Sequence, residues 1–177
     1  MNLREREFQV QYEEDTFPLF EERVLASGLC DFAIPMQFVH RADGVLVTYG
    51  CGGYTSLSEV DLSSVAVGLE VLAKVFRTLK KTDDFLIDPR HMELSVNTVY
   101  FHRRRRHIRI AYMPAAACSL YLRLPLLIKE LQQRAGVAAG EYMEKISVAL
   151  QRDNLTMADA AILTEQFRKE AYECGIE

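Results

Sequence analysis

Alternation and spacing divide this chain into a strand-rich first third and a helical last third. In residues 6–12, REFQVQY, the residues Phe8, Val10 and Tyr12 fall on one side, the signature of a strand. Residues 19–29 carry Leu19, Phe20, Val24 and Leu25 at helical spacing, with Gly28 as a stop. Ala33–Val39 and Val45–Tyr49 read as strands, joined through a hairpin turn marked by Asp43-Gly44. The clearest helix runs over 65–79. Its residues Val65, Leu69, Leu72, Phe76 and Leu79 step by four, three, four and three, forming one apolar stripe. Asp61 or Ser63 is the expected cap, and Lys80-Lys81 suits the helix C-terminus. Pro89 predicts a turn at Asp88.

Thr98–Phe101 and Ile108–Tyr112 then read as a short hairpin, and Pro114 ends its second arm. A helix is expected over 119–134, with Leu122, Leu126, Leu127 and Leu131 on its apolar face and Gly136 as its stop. Another spans 141–152. A last one opens at Thr156, where Asp159 completes a capping box, and runs through Phe167. The whole is an α+β pattern in a single domain. A small antiparallel β lobe occupies 1–53, and a mainly helical lobe with a central hairpin near 98–112 occupies 54–177.

Composition narrows the class. The 177 residues are 49% hydrophobic and 26% charged, the balance of a soluble globular chain. A net charge of −4 argues against bulk nucleic-acid binding. No apolar run reaches the roughly 20 residues that span a bilayer, and MNLREREFQVQYEED has no secretory h-region. Cys30, Cys51, Cys118 and Cys174 are scattered without a CxxC, as expected for reduced thiols in a cytoplasmic protein.

The stretch 91–101, HMELSVNTVYF, leads through a basic run to IRIAYMP. It resembles the protein kinase catalytic loop, in which HRDLKPENILL leads to IKLIDFG. Aligned without gaps, His91 falls on the kinase His, Glu93 on the catalytic Asp and Thr98 on the metal-binding Asn. Tyr112 then falls on the metal-binding Asp and Pro114 on the Gly. Kinase chemistry is positioning plus charge neutralisation by Mg²⁺ held on Asp and Asn oxygens. A phenol is a poor Mg²⁺ ligand, and threonine lacks the amide carbonyl. There is no GxGxxG, and the nearest likeness to VAIK, DFAIPMQF, has Pro35 and Met36 where the Lys is wanted. The resemblance implies a reduced, pseudokinase fold with vestigial positions, no metal, no cofactor and no catalytic residue.

From TYGCGGYTSL through FLIDPRHMELSVNTVYF and IRIAYMP to NLTMADA, the chain also resembles a bacterial family of uncharacterised domains that precede a forkhead-associated (FHA) domain. It is more distantly similar to the cytoplasmic pseudokinase-like domain of the type VII secretion protein EssB/YukC. These likenesses imply a non-enzymatic interaction module in a longer signalling protein, with FHA sequence expected downstream. Two other readings stay open: a scaffold domain of a type VII-like secretion complex, and a residual nucleotide-binding or phosphotransfer domain.

The run HRRRRH over 102–107 is the remaining candidate site. Arg103, Arg104, Arg105 and Arg106 could form a clamp for a phosphorylated or acidic protein partner, since guanidinium forks pair bidentately with such anions. The plainer reading is a solvated hairpin tip. His91 is expected to be structural, and Glu93 to be exposed or paired with an arginine. The glycines of GCGG read as hinge punctuation, since no Lys-Ser/Thr follows them.

Overall fold

Val45, Val47 and Tyr49 are fully buried because they occupy one face of the central strand of a small sheet. The computed structural model describes residues 7–102, 104–114, 119–151 and 155–176. Its first sheet has strands β1 (Glu7–Tyr12), β2 (Met36–Arg41) and β3 (Gly44–Gly50), in the order β1-β3-β2 and antiparallel throughout. Phe8 and Met36 both face Tyr49 across the ladder, and Val10 and Phe38 both face Val47. Helix α1 (Leu19–Ala26) connects β1 to β2 and packs on β2.

The β2–β3 turn is built by Ala42 and Asp43, one residue earlier than the Asp-Gly signal suggests, and Gly44 already pairs with Arg41. Gly44 has φ +127°, and a Cβ there would lie 2.2 Å from the Tyr12 carbonyl oxygen. Both the backbone conformation and the closeness of β1 therefore exclude a side chain. Gly44→Ala is expected to cost about 3 kcal/mol, the upper end for a strained backbone position. Urea unfolding measures it, and a loss below ~0.5 kcal/mol would show the hairpin to be differently built.

The strand expected from Ala33 begins only at Met36. Residues Phe32 to Ile34 are used elsewhere: the Ile110 N–H donates to the Phe32 carbonyl (2.9 Å), and the Ile34 N–H donates to the Ile110 carbonyl (3.1 Å). Pro35, with no N–H, cannot continue a ladder, and its carbonyl accepts from Gly50 (2.9 Å). These bonds tie the first sheet to a second. That sheet has strands β4 (Thr55–Ser56), β5 (Val99–His102) and β6 (His107–Ile110), in the order β4-β5-β6 and antiparallel.

Helix α2 (Val65–Asp84) is the axis of the other half. The predicted stripe is buried, but so are Val71, Val75, Thr78 and Thr82, because α5, α4 and β6 pack around it. That is also why it outruns the expected end at Lys80-Lys81. Its cap is neither Asp61 nor Ser63 but Ser64, whose Oγ accepts the Val67 N–H at 3.5 Å.

Helices α3 (Leu120–Arg134), α4 (Gly136–Leu150) and α5 (Met157–Glu173) follow. Gly136 opens α4 rather than merely stopping α3, so the two helices meet at a corner on Ala135. The box at Thr156 forms as expected, with Thr156 Oγ1 accepting the Asp159 N–H and the Asp159 carboxylate accepting the Thr156 N–H. One continuous buried cluster runs through both sheets and the helices. Among the described residues no helix is long and apolar enough to cross a membrane.

Candidate functional site

Glu21 is the feature that organises the junction between the two sheets. It lies on α1, four residues before Leu25, and the two share that helix's buried face. The apolar stripe read from the sequence does not hold there: Leu19 and Phe20 point outward, 62% and 52% exposed, while Glu21 is only 7% exposed. A carboxylate so placed must find donors. It finds the Tyr112 phenol, which donates to Oε2, and the Asp88 backbone N–H, which donates to Oε1 at 3.4 Å. His91 Nδ1 lies 3.5 Å from the same carboxylate and 2.8 Å from the Tyr112 hydroxyl oxygen. Because the single phenol proton points at Glu21, the Tyr112 oxygen is the acceptor in its bond with His91, and Nδ1 carries the proton.

The network continues across the first sheet. The Tyr49 hydroxyl donates to the Tyr112 carbonyl at 2.8 Å, and the Tyr12 hydroxyl lies 2.8 Å from that of Tyr49. Tyr49 has spent its proton on the carbonyl, so Tyr12 donates to Tyr49. Phe17 closes the space between them, edge-on to Tyr12 and Phe38 with centroids 5.0 and 5.1 Å away, and 6.0 Å from Tyr112. Burial pushes the Tyr112 phenol far up from its ordinary pKa, and the Glu21 carboxylate reinforces the shift. Burial, then the bond with Tyr12, drives Tyr49 the same way. Both phenols stay protonated at any physiological pH and so remain donors.

His91, Glu93, Thr98 and Tyr112 lie on two adjoining segments, 91–98 and 111–113. The Met113 N–H donates to the His91 carbonyl at 2.7 Å, and Met92 bridges Tyr112. The Glu93 N–H donates to the Ala111 carbonyl at 2.9 Å. Its side chain accepts from Arg123 Nη1 on α3 at 2.7 Å. Glu93 is therefore the arginine-paired carboxylate expected among its readings. Thr98 closes the 93–98 turn, and its carbonyl accepts the Ala111 N–H at 3.0 Å. Its Oγ1 donates to the Glu93 carbonyl at 2.8 Å and accepts the Ser95 N–H at 3.1 Å.

The arginine run does not behave as one unit. Arg103 lies outside the described residues. Arg104 and Arg105 are exposed on the turn between β5 and β6. Arg106, expected as a partner contact, is instead clipped to α2. Its Nε donates to Glu70 Oε1 at 2.9 Å, its Nη2 donates to the other carboxylate oxygen, and Lys74 donates to its carbonyl at 2.8 Å. Burial alone would raise the Glu70 pKa, but Arg106 and Lys74 win and hold it below the usual carboxylate range. The sequence could not show this, because Glu70 sits on what reads as the solvent side of α2.

Sequence reading also missed Glu21, Tyr12 and Tyr49 as members of a site. The only sequence signal was an acid in phase with Leu25 on a short helix, and that signal is weak without the partners. Among the described residues no group of three or more His, Cys, Asp or Glu side chains could hold a metal ion. No family model matches the chain, and no curated protein matches it.

Proposed function

We propose that this chain is a non-catalytic, pseudokinase-like module for protein contacts. On this reading it is cytoplasmic and forms the N-terminal part of a larger FHA-containing bacterial signalling protein. Kinases pair a strand-borne Lys with a Glu on the helix beside it, and an Asp at the end of the catalytic hairpin holds Mg²⁺. In this chain an acid on the helix between β1 and β2, Glu21, faces the residue aligned with that Asp. The residue is Tyr112, with its hydroxyl bonded to both Glu21 and His91. That single contact carries the proposal: a buried phenol, donating to Glu21 and accepting from His91, stands at the position aligned with the metal-binding Asp. The order of elements supports it too, since a small sheet is followed by the 50–64 crossing, a long helix and a hairpin packed on that helix.

The test is a thermal titration with ATP and Mg²⁺. A ligand at 100 times its Kd would add about 2.7 kcal/mol of stability. The expected result is no shift at millimolar ATP. A clear Mg²⁺-dependent shift would favour a residual phosphotransfer domain instead.

For the partner, the exposed pair on the β5–β6 turn is the proposed contact with acidic or phosphorylated protein. Replacing Arg104 and Arg105 by Ser is expected to change stability by less than ~0.5 kcal/mol while weakening an acidic phosphopeptide. Arg106→Ser is expected to cost up to about 1 kcal/mol, since its guanidinium is largely exposed. Equal stability losses in the two variants would place all the arginines in the fold's support and remove the contact.

A further inference from the structure

Where α2 ends, residues 83–86 break local rules repeatedly, and the residues that break them face solvent. Asp83 and Asp84 stand in the last turn of the helix, where the macrodipole disfavours negative charge. Leu86 takes the left-handed conformation, φ 55°, just past the helix end. The Leu86 N–H donates to the Asp83 carbonyl at 3.2 Å, and the Ile87 N–H donates to the Thr82 carbonyl at 3.0 Å. This pair of bonds is the Schellman closure, in which glycine is the usual occupant of the Leu86 position. A bulky side chain there is strained. Packing does not offset the strain, since Leu86 is 77% exposed. Asp83 and Asp84 are exposed as well. Locally unfavourable choices gathered on one surface point to a function and not to a need of the fold.

A groove of about 260 Å³ opens beside this end, between α2 and α5. It exists because α5 presents the short side chains of Ala158 and Ala161 there, and Ile162, 57% exposed, adds an apolar wall. The groove is smaller than the roughly 300 Å³ at which small-molecule sites begin, so it suits a single aliphatic side chain. Asp84 lines it, two residues from Leu86, so knob and groove adjoin. Arg77, Lys80 and Lys81 line the α2 side. Arg77 is shared with Glu165 at 3.2 Å and Lys81 with Asp31, while Lys80 is exposed. We propose that Leu86 seats in this groove on a second copy of the same chain, with Asp83 paired to the partner's Lys80. A two-fold axis between knob and groove makes both contacts at once, as an isologous dimer requires. The acidic end of one copy then meets the basic edge of the other. This goes beyond the interaction-module reading and does not depend on the kinase-like ancestry of the fold.

Sedimentation equilibrium between about 10 μM and 1 mM tests the contact. A dimer with a Kd on the order of 100 μM is expected, the scale of a small transient interface. Leu86→Asn keeps a residue that tolerates the left-handed conformation and removes the apolar knob. It is expected to weaken the dimer at least about tenfold. Its melting temperature, read at about 5 μM where dimerisation adds little, should not fall. Lys80→Glu and Asp83→Lys should each weaken the dimer about three- to tenfold, since each sets like charges together on both sides of the axis. Mixed in equal amounts, these two variants should recover the affinity of the unaltered chain, because the mixed dimer restores both opposite-charge pairs. The proposal is overturned by a chain that stays monomeric at about 1 mM. It is also overturned by a Leu86→Asn variant that dimerises as well as the original or melts lower, or by a mixture that associates no better than its parts. None of these outcomes touches the pseudokinase-like reading, which fails only on Mg²⁺–ATP binding.

Discussion

Tyr112→Asp, which sets a potential metal-binding carboxylate at the sheet junction, is expected to destabilise the fold by about 4–5 kcal/mol and to gain no Mg²⁺ binding. Loss of a fully buried aromatic ring costs about 3–5 kcal/mol by itself. The change also strips Glu21 and His91 of their shared hydroxyl and sets a second carboxylate against a buried one, where like charges cannot both stay ionised. Tyr112→Phe separates the two effects. It keeps the ring and removes only the hydroxyl, for an expected 1–3 kcal/mol, the usual range for leaving a buried polar group unsatisfied. Urea unfolding of both variants, with and without 10 mM Mg²⁺, is the measurement. If magnesium restored the stability of Tyr112→Asp, the junction would be a dormant metal site and not a lock.

Phe76→Ala should cost about 3–5 kcal/mol, the range for truncating a fully enclosed aromatic. Phe76 is 0% exposed near the middle of α2, the helix that α5, α4 and β6 all touch, so little around it is free to collapse into the cavity. Lys80→Ala, on the same helix but outside the stripe, should stay within ~0.5 kcal/mol. Denaturant midpoints at constant m-value would report both. A loss below about 1 kcal/mol at Phe76 would mean that the helical half is not organised around α2.

Both expectations start from sequence patterns, but they differ in how much of each was legible. The α2 stripe could be read because Leu69, Leu72, Phe76 and Leu79 carry their own periodicity, and any packing that buries one buries the rest. The capping box at Thr156 was legible for a similar reason, since its partners lie three residues apart. The hairpin of β5 and β6 and the strands β1 and β3 follow from alternation and a turn. Two-residue β4 left no such mark. It lies among glycines and serines, and only its pairing with Tyr100 and Phe101 makes it a strand.

Helix α3 shows the limit from the other side. Its apolar positions were visible, yet the structure buries Leu124, Leu127, Ile128 and Leu131 while Leu122 and Leu126 face outward, 64% and 61% exposed. A helix with apolar residues on more than one side does not declare which side its neighbours cover.

Sequence alone, then, determined most of the local elements and the α+β class, because each depends on residues close together in the chain. Only the tertiary structure decided that Glu21 is buried, that Tyr112 serves it, that Arg106 is tied to Glu70 and that residues 32–34 join the two sheets. Those outcomes rest on hydrogen bonds between residues 36 to 91 positions apart, or on chain segments meeting across the core. A carboxylate, a phenol or a guanidinium reads the same in sequence whether water or a distant side chain satisfies it.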